Sequence, residues 1–281
     1  MKRFAANLIV IASLPLPLMA QDGAATNFPA MSFDELLSCA QVYATTDVKK
    51  ANKQRAREEI FARKVEALDY LMAHIHTENM SVYMLADELL GKLPSTEAAP
   101  VLLRYATSPH DQTRKLAAFF LGLYEIPEYT DDVLPLLRDA KAAGAAVRTL
   151  GKWKVREAVP LIITVLEQGE ERRRVAAANA LRDIGDKRAA PHLIAALNDP
   201  CFTVRKAAAR ALAAMGRRVE GDVLAALPES VDPMRRELIG VLGAIKSQRA
   251  VPPLHRCLND SDPLLREEAT LALQQISLPS R

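Results

Sequence analysis

Glycine is scarce in this chain of 281 residues, at 11, and aromatic side chains make up only 5% of it, with a single tryptophan. Leu and Ala dominate instead, which favours helix before any pattern is read. Charge of one sign is also missing. The formal net charge is +3, too small for the molecule as a whole to be drawn strongly to nucleic acid. Several chemical signatures are absent as well. There is no His-Glu-x-x-His, no Gly-rich phosphate loop and no Gly-x-Ser-x-Gly elbow. His74 and His76 stand two apart, so on a helix they cannot chelate as an i, i+4 pair does; His110, His192 and His255 are scattered. Cys39, Cys201 and Cys257 are an odd number. Cys201 and Cys257 lie two repeats apart, too far for a bridge that needs Cα atoms within about 7 Å. No catalytic, metal or cofactor constellation can be assembled, and none is expected.

What is present begins with a short apolar stretch. Lys2 and Arg3 precede uncharged Phe4 to Leu18, and Ala20 offers a small residue for cleavage. This reads as a bacterial secretory signal peptide. An uncleaved anchor is the rival, but Pro15 and Pro17 interrupt the stretch, which falls short of the roughly 20 residues a span needs. No later segment is apolar enough to span a bilayer. The expected location is periplasmic or secreted, away from chromosomal DNA and cytosolic ATP. Cleavage would lower the net charge to +1 by removing Lys2 and Arg3.

The rest of the chain repeats. A leucine closes an Ala-rich helix at Leu90, Leu121, Leu150, Leu181, Leu212, Leu242 and Leu273, in steps of 29 to 31 residues. A proline opens the preceding helix at Pro100, Pro135, Pro160, Pro191 and Pro252, and Asp222 stands where one is missing. Two markers keeping one period point to a repeat architecture. In the clearest unit, Pro191 suits a first helical turn, Asn198-Asp199-Pro200 marks a turn, and Val204, Ala208, Ala211, Leu212 and Met215 follow at helical spacing. Gly216 reads as its C-cap. Such a hairpin has apolar surface on more than one side and must stack on its neighbours.

The expected organisation is a signal peptide at 1–20, a flexible linker at 21–32, a helical cap at 33–61 and a repeat solenoid at 62–281. Ser32-Phe33-Asp34-Glu35 is a capping box that opens the cap, and Asp47 to about Ile75 reads as one long helix. The third unit is abbreviated at Asp139 to Gly144, and Trp153 is expected to plug the joint after it.

Ala189-Ala190-Pro191, Asp199, Val204-Arg205, Ala208, Ala211 and Leu212 together resemble the HEAT repeat, in the short form also seen in phycobilisome-lyase-like proteins. The resemblance covers 156–276 well and 62–155 more loosely. It implies an all-α fold, a right-handed α-solenoid of about seven helical hairpins whose second helices build a concave face. Arg114, Arg174, Arg205, Arg235 and Arg266 share one position in their second helices, where Tyr83 and Ala143 stand in the first and third units. Asp199, Glu229 and Asp260 each precede such an arginine by six residues. In HEAT proteins this acid–arginine pair forms a ladder that ties successive turns together, so a structural role is expected for Asp199–Arg205, Glu229–Arg235 and Asp260–Arg266.

Charge is distributed unevenly. Residues 148–249 hold 19 Lys/Arg against 12 Asp/Glu, whereas 21–147 hold 13 against 18. A solvated face is the plain explanation of the basic stretch. Arg172, Arg173, Lys206, Arg210 and Arg236 fall outside the ladder column, and Arg173 stands where other units carry Val204, Met234 and Leu265. The expected function is an exported, non-catalytic scaffold that binds a protein partner, of acidic character, through its concave face. Lys206, Arg210 and Arg236 are the candidate partner-binding residues. A lyase-like accessory enzyme acting on a bound prosthetic group is the alternative, and nothing flanking the cysteines supports it. Nucleic-acid binding, as in HEAT-like alkylpurine glycosylases, is a further alternative that the single tryptophan and the signal peptide disfavour. No cofactor, no nucleic acid and no stable membrane span after cleavage is expected.

Overall fold

A computed structural model describes residues 27–41, 47–77, 79–228 and 230–278. The signal-peptide reading and most of the 21–32 linker reading therefore lie outside the described residues, as does Glu229. No strand occurs among the described residues, and no helix there is long and apolar enough to cross a membrane. The fold is an α-solenoid, divided into two compact units at Val101/Leu102.

In the N-terminal unit, α1 (Phe33–Gln41) packs on α2 (Asp47–Ala62), and α3 (Lys64–His74) pairs with α4 (Met80–Leu90). The capping box forms as the sequence suggests. The Glu35 carboxylate accepts from the Ser32 amide at 2.8 Å, and Ser32 Oγ accepts from the Glu35 amide at 3.3 Å. Two expectations are corrected here. Residues 28–30 form a turn of 3₁₀ helix with Phe28 buried, so this part of the supposed linker is docked. The long helix of 47–75 is interrupted: Lys64 takes a left-handed φ of 47° and α3 starts afresh. Arg63 at the break shows why. Its Nε donates to Glu59 at 3.0 Å, and its Nη2 reaches the carbonyls of Pro29 and Met31 at 3.2 and 2.7 Å. The guanidinium thus ties the docked turn to the end of α2, an anchor that a continuous helix would aim elsewhere.

The C-terminal unit begins within α5 (Ser95–Ala106). Its second helices are α6 (Asp111–Leu121), α8 (Ala143–Lys152), α10 (Glu171–Ile184), α12 (Phe202–Met215), α14 (Met234–Ala244) and α16 (Pro263–Ser277), each packed on the next. The first helices are shorter: α7 (Thr130–Val133), α9 (Val159–Gln168), α11 (Ala190–Ala195), α13 (Glu220–Ala226) and α15 (Val251–Cys257), most entered through a turn of 3₁₀ helix. Prolines occupy the first turns of α9, α11 and α15, where a missing N–H costs nothing. Of the leucines that mark the period, Leu121, Leu150, Leu181, Leu212 and Leu242 are fully buried, and Leu273 in the last helix is half-buried.

Small residues set the distance between second helices. A Cβ built on Gly151 would lie 2.8 Å from Ala180 Cα, and one on Gly243 2.8 Å from Ala272 Cα, so neighbouring backbones approach where only glycine fits. Each second helix from α8 to α14 then leaves through a residue of positive φ: Lys154 at 55°, Gly185 at 67°, Gly216 at 65° and Lys246 at 53°. Glycine holds that conformation without strain, whereas lysine does not.

Candidate functional site

The arginine column of the second helices is a two-handed clasp. One hand reaches back to the turn that precedes the helix. Arg114 Nη1 donates to the Ser108 and Pro109 carbonyls at 2.8 and 3.1 Å, Arg205 Nη1 to those of Asp199 and Pro200 at 2.7 and 3.1 Å, and Arg266 Nη1 to those of Asp260 and Ser261 at 2.7 and 3.0 Å. Arg174 makes the equivalent bond to Gly169 at 2.9 Å. The other hand reaches forward to the next unit. Arg174 Nε and Nη2 grip both oxygens of Asp199 at 2.8 and 2.9 Å, Arg114 Nε meets Asp139 at 2.7 Å, and Arg235 Nη1 meets Asp260 at 3.0 Å.

The expected pairing is corrected by this geometry. Asp199 does not give its carboxylate to Arg205, six residues on, nor Asp260 to Arg266; in both pairs the link is to the backbone carbonyl. The carboxylates face the arginine that lies 25 residues earlier. The reason is local. Asp199 Oδ1 accepts the Cys201 amide at 2.8 Å and Asp260 Oδ1 the Asp262 amide at 3.0 Å, closing a tight Asx turn that points the group at the preceding unit. Asp139, which sequence reasoning left out because its unit lacks the arginine, behaves identically: its Oδ1 accepts from Lys141 and Ala142, both at 2.7 Å. The signal that could have found it is the 25-residue distance itself. The Glu229–Arg235 pair cannot be described, since Glu229 lies outside the described residues.

Electrostatics follow the contacts. Hydrogen bonding to Asp199 holds the Arg174 guanidinium above its usual range, and Asp139 does the same for Arg114. Burial alone would raise the Asp139 carboxyl, but amide donation from Ala142 and Lys141, with Arg114 beside it, holds it below the usual carboxylate range. The Asp262 amide, aided by Arg235, lowers Asp260.

Two cysteines touch the ladder: Arg174 Nη2 lies 3.6 Å from Cys201 Sγ and Arg235 Nη2 3.8 Å from Cys257 Sγ. All three thiols are free. At the abbreviated unit, the stem of Arg173 lies over Gly144, whose added Cβ would stand 3.5 Å from Arg173 Cγ. That contact explains an arginine in a column of apolar residues. Trp153 is buried and donates its indole N–H to the Tyr124 carbonyl at 2.6 Å.

The three candidate partner-binding residues differ in their surroundings. Lys206 is half-buried and pairs with Glu237 at 3.0 Å, whose side chain is only 11% exposed. Arg236 lies 3.8 Å from Asp232 with its Nε buried. Lys206 thus has an acidic partner at contact distance, and Arg236 an acidic neighbour at the edge of ion-pair distance. Arg210 is exposed, and its Nε donates to the Lys206 carbonyl at 3.1 Å. Arg148 shares its column, two residues before the closing leucine, and is exposed as well. Sequence reasoning passed over Arg148, although that same count finds it. An open groove of about 540 Å³ beside Gly122, Tyr124, Glu125, Lys152 and Lys154 carries mixed charge, and Lys152 Nζ there is tied to the Gly122 carbonyl at 2.9 Å.

The family model for HEAT repeats matches residues 130–213, 174–237 and 222–281. The chain belongs to the HEAT-repeat family. Among solved structures, E. coli YibA shares 16% identity, with 91% of this chain and 98% of that one covered at a TM-score of 0.51. Kap121p also shares 16% identity and covers 87% of this HEAT-repeat chain, which spans 33% of Kap121p, at a TM-score of 0.52. The CpcE–CpcF phycocyanin lyase of Nostoc sp. PCC7120 shares 20% identity over 91% of each chain, at a TM-score of 0.42. No curated protein matches the sequence. At these identities YibA and Kap121p show the fold alone.

Proposed function

We propose that this HEAT-repeat protein is a non-catalytic scaffold, exported from the cell, that holds an acidic protein partner against the exposed face of its second helices. The observation that carries the reading is the column of Arg148, Asn179 and Arg210 on α8, α10 and α12. These three helices pack in succession, so one column forms one line across them. Among the described residues neither Arg148 nor Arg210 has a carboxylate within ion-pair distance, whereas the half-buried arginines Arg114, Arg174 and Arg235 of the ladder column spend their charge on carboxylates of the fold. The column varies between units, with Phe119, Gly240 and Leu271 elsewhere. A position that tolerates Phe, Asn, Gly and Leu is not needed to build a repeat, so its cations are free to serve recognition. The uneven charge, 19 Lys/Arg against 12 Asp/Glu in 148–249, gives that face a long-range pull on an acidic surface.

The test is charge reversal. Arg148→Glu with Arg210→Glu is expected to leave the helical circular dichroism and melting temperature unchanged. It is expected to weaken recovery of the partners that copurify with the parent, and more so at low salt, where screening is weakest. Equal recovery by parent and variant at low salt rejects the basic column as the recognition surface. Export is tested separately, by fractionating cells that express the whole chain; a product confined to the cytoplasm rejects it.

A further inference from the structure

The forward hands of the ladder form a graded series. Arg174 grips both oxygens of its aspartate, Arg114 one through Nε, and Arg235 one through Nη1. At the same 25-residue distance from Arg205 stands Ser230, which is uncharged and donates its hydroxyl to the Leu227 carbonyl at 2.7 Å. Arg205 keeps its backward hand on the Asp199 and Pro200 carbonyls. Its Nε is buried and bonds to nothing among the described residues, as does that of Arg235, but Arg235 still meets Asp260 through Nη1, whereas no described carboxylate is bonded to any nitrogen of Arg205. A buried, unanswered guanidinium nitrogen is costly, and its natural counterpart is a carboxylate oxygen held in the plane of the fork.

The surroundings add a second element. Phe202, at the start of α12, is 59% exposed. The Arg205 guanidinium lies 5.7 Å from the centre of its ring and Lys206 Nζ 5.4 Å. Val231, next to Ser230, is 64% exposed. An aromatic face and the Arg205 guanidinium thus meet, beside the Lys206–Glu237 pair, at a forward position between two second helices that no described carboxylate fills.

We propose that this open rung is a receptor for a carboxylate side chain of the partner protein, an Asp or Glu in a segment whose neighbouring residue is apolar and packs on Phe202. The incoming carboxylate completes the ladder between α12 and α14 as Asp199 completes it between α10 and α12. The inference rests on the scaffold reading above and names the chemistry that the partner must carry.

The probe is a fluorescein-labelled octapeptide of alternating Asp and Leu, with the same peptide carrying Asn for Asp as the control, titrated into the full chain by fluorescence anisotropy. Saturable binding of the Asp peptide is expected, at least tenfold tighter than that of the Asn peptide. Ser230→Asp supplies the missing carboxylate in cis and is expected to weaken the Asp peptide at least tenfold with no loss of melting temperature. Arg205→Lys keeps the charge and removes the fork; it is expected to weaken the peptide at least threefold, and it serves if Ser230→Asp does not fold. Equal binding of the Asn peptide, or unchanged binding to both variants, overturns the proposal. So does a drop in melting temperature for Glu229→Gln as large as that for Asp199→Asn, which would show that the protein's own Glu229 closes the rung. If Arg148→Glu with Arg210→Glu loses its copurifying partners while Ser230→Asp keeps them and binds the peptide normally, the basic column stands and the open rung falls.

Discussion

The two units hold their helices by different means. In the N-terminal unit the polar contacts are used once each. Tyr70 stacks on Phe33 at 4.9 Å and bonds to Asp34, His74 leans on Tyr70 at 4.2 Å, Arg57 pairs with Glu88, and Arg63 clamps the turn at residues 28–31. In the C-terminal unit one clasp recurs down a column of arginines. A contact used once leaves no trace in a sequence beyond its own residues, whereas a contact used four or five times writes a period. The comparison predicts that damage stays local in the first unit and passes between neighbouring repeats in the second.

The largest effect is expected where second helices touch. Gly243→Val would drive side-chain atoms into the Ala272 backbone, and is expected to cost about 3 kcal/mol or more in a denaturant melt. A cost below about 1 kcal/mol would show that the stack relaxes at that joint. Next come the arginines. Arg174→Ala removes a bidentate pair and a carbonyl bond and is expected to cost about 2–3 kcal/mol. Arg205→Ala loses only the carbonyl hand, and about 1 kcal/mol is expected. Equal losses would erase the distinction between filled and open rungs. In the other unit, Arg63→Ala is expected to raise amide exchange in residues 28–41 and leave the amides of α10 to α14 unchanged.

Acid should read the ladder too. Asp139 is held below its unfolded pKa, so its contribution is complete above that value, near 4, and is lost as pH falls through the lower folded value. Asp139→Asn is therefore expected to be less stable than the parent at neutral pH, with the gap closing as the pH falls below the usual carboxylate range. A gap that stays constant with pH would show that Asp139 acts by shape alone. The smallest effect has the opposite sign. Lys154→Gly relieves a left-handed lysine in a column that elsewhere carries Gly185 and Gly216, and is expected to stabilise by about 1 kcal/mol.

Much of this was legible in the residues. The closing leucines gave the period, and counting seven back from each found the arginine column. The direction of pairing was not legible, because Asp199 and Arg205 are near in sequence while Asp199 and Arg174 become near only when two hairpins stack. Arg63 could not be read as a helix break, since no glycine or proline marks it and its partners lie more than thirty residues away. Lys206 looked free because Glu237 belongs to the next unit. Arg148 was within reach of the column count that isolated Arg210, and its place in the shortened third unit hid it.

The forward hands have one more consequence. Because each joins only a unit to its successor, they act in series, like links of a chain, and a tension along the stack is carried in full by every joint. The joints α8–α10, where Ala143 stands in the arginine column, and α12–α14, where Lys206 and Glu237 pair instead, carry it without the arginine–carboxylate link found at α6–α8, α10–α12 and α14–α16. Pulled from its ends, the C-terminal unit is expected to yield first at one of these two joints, and a carboxylate bound at α12–α14 would harden that one.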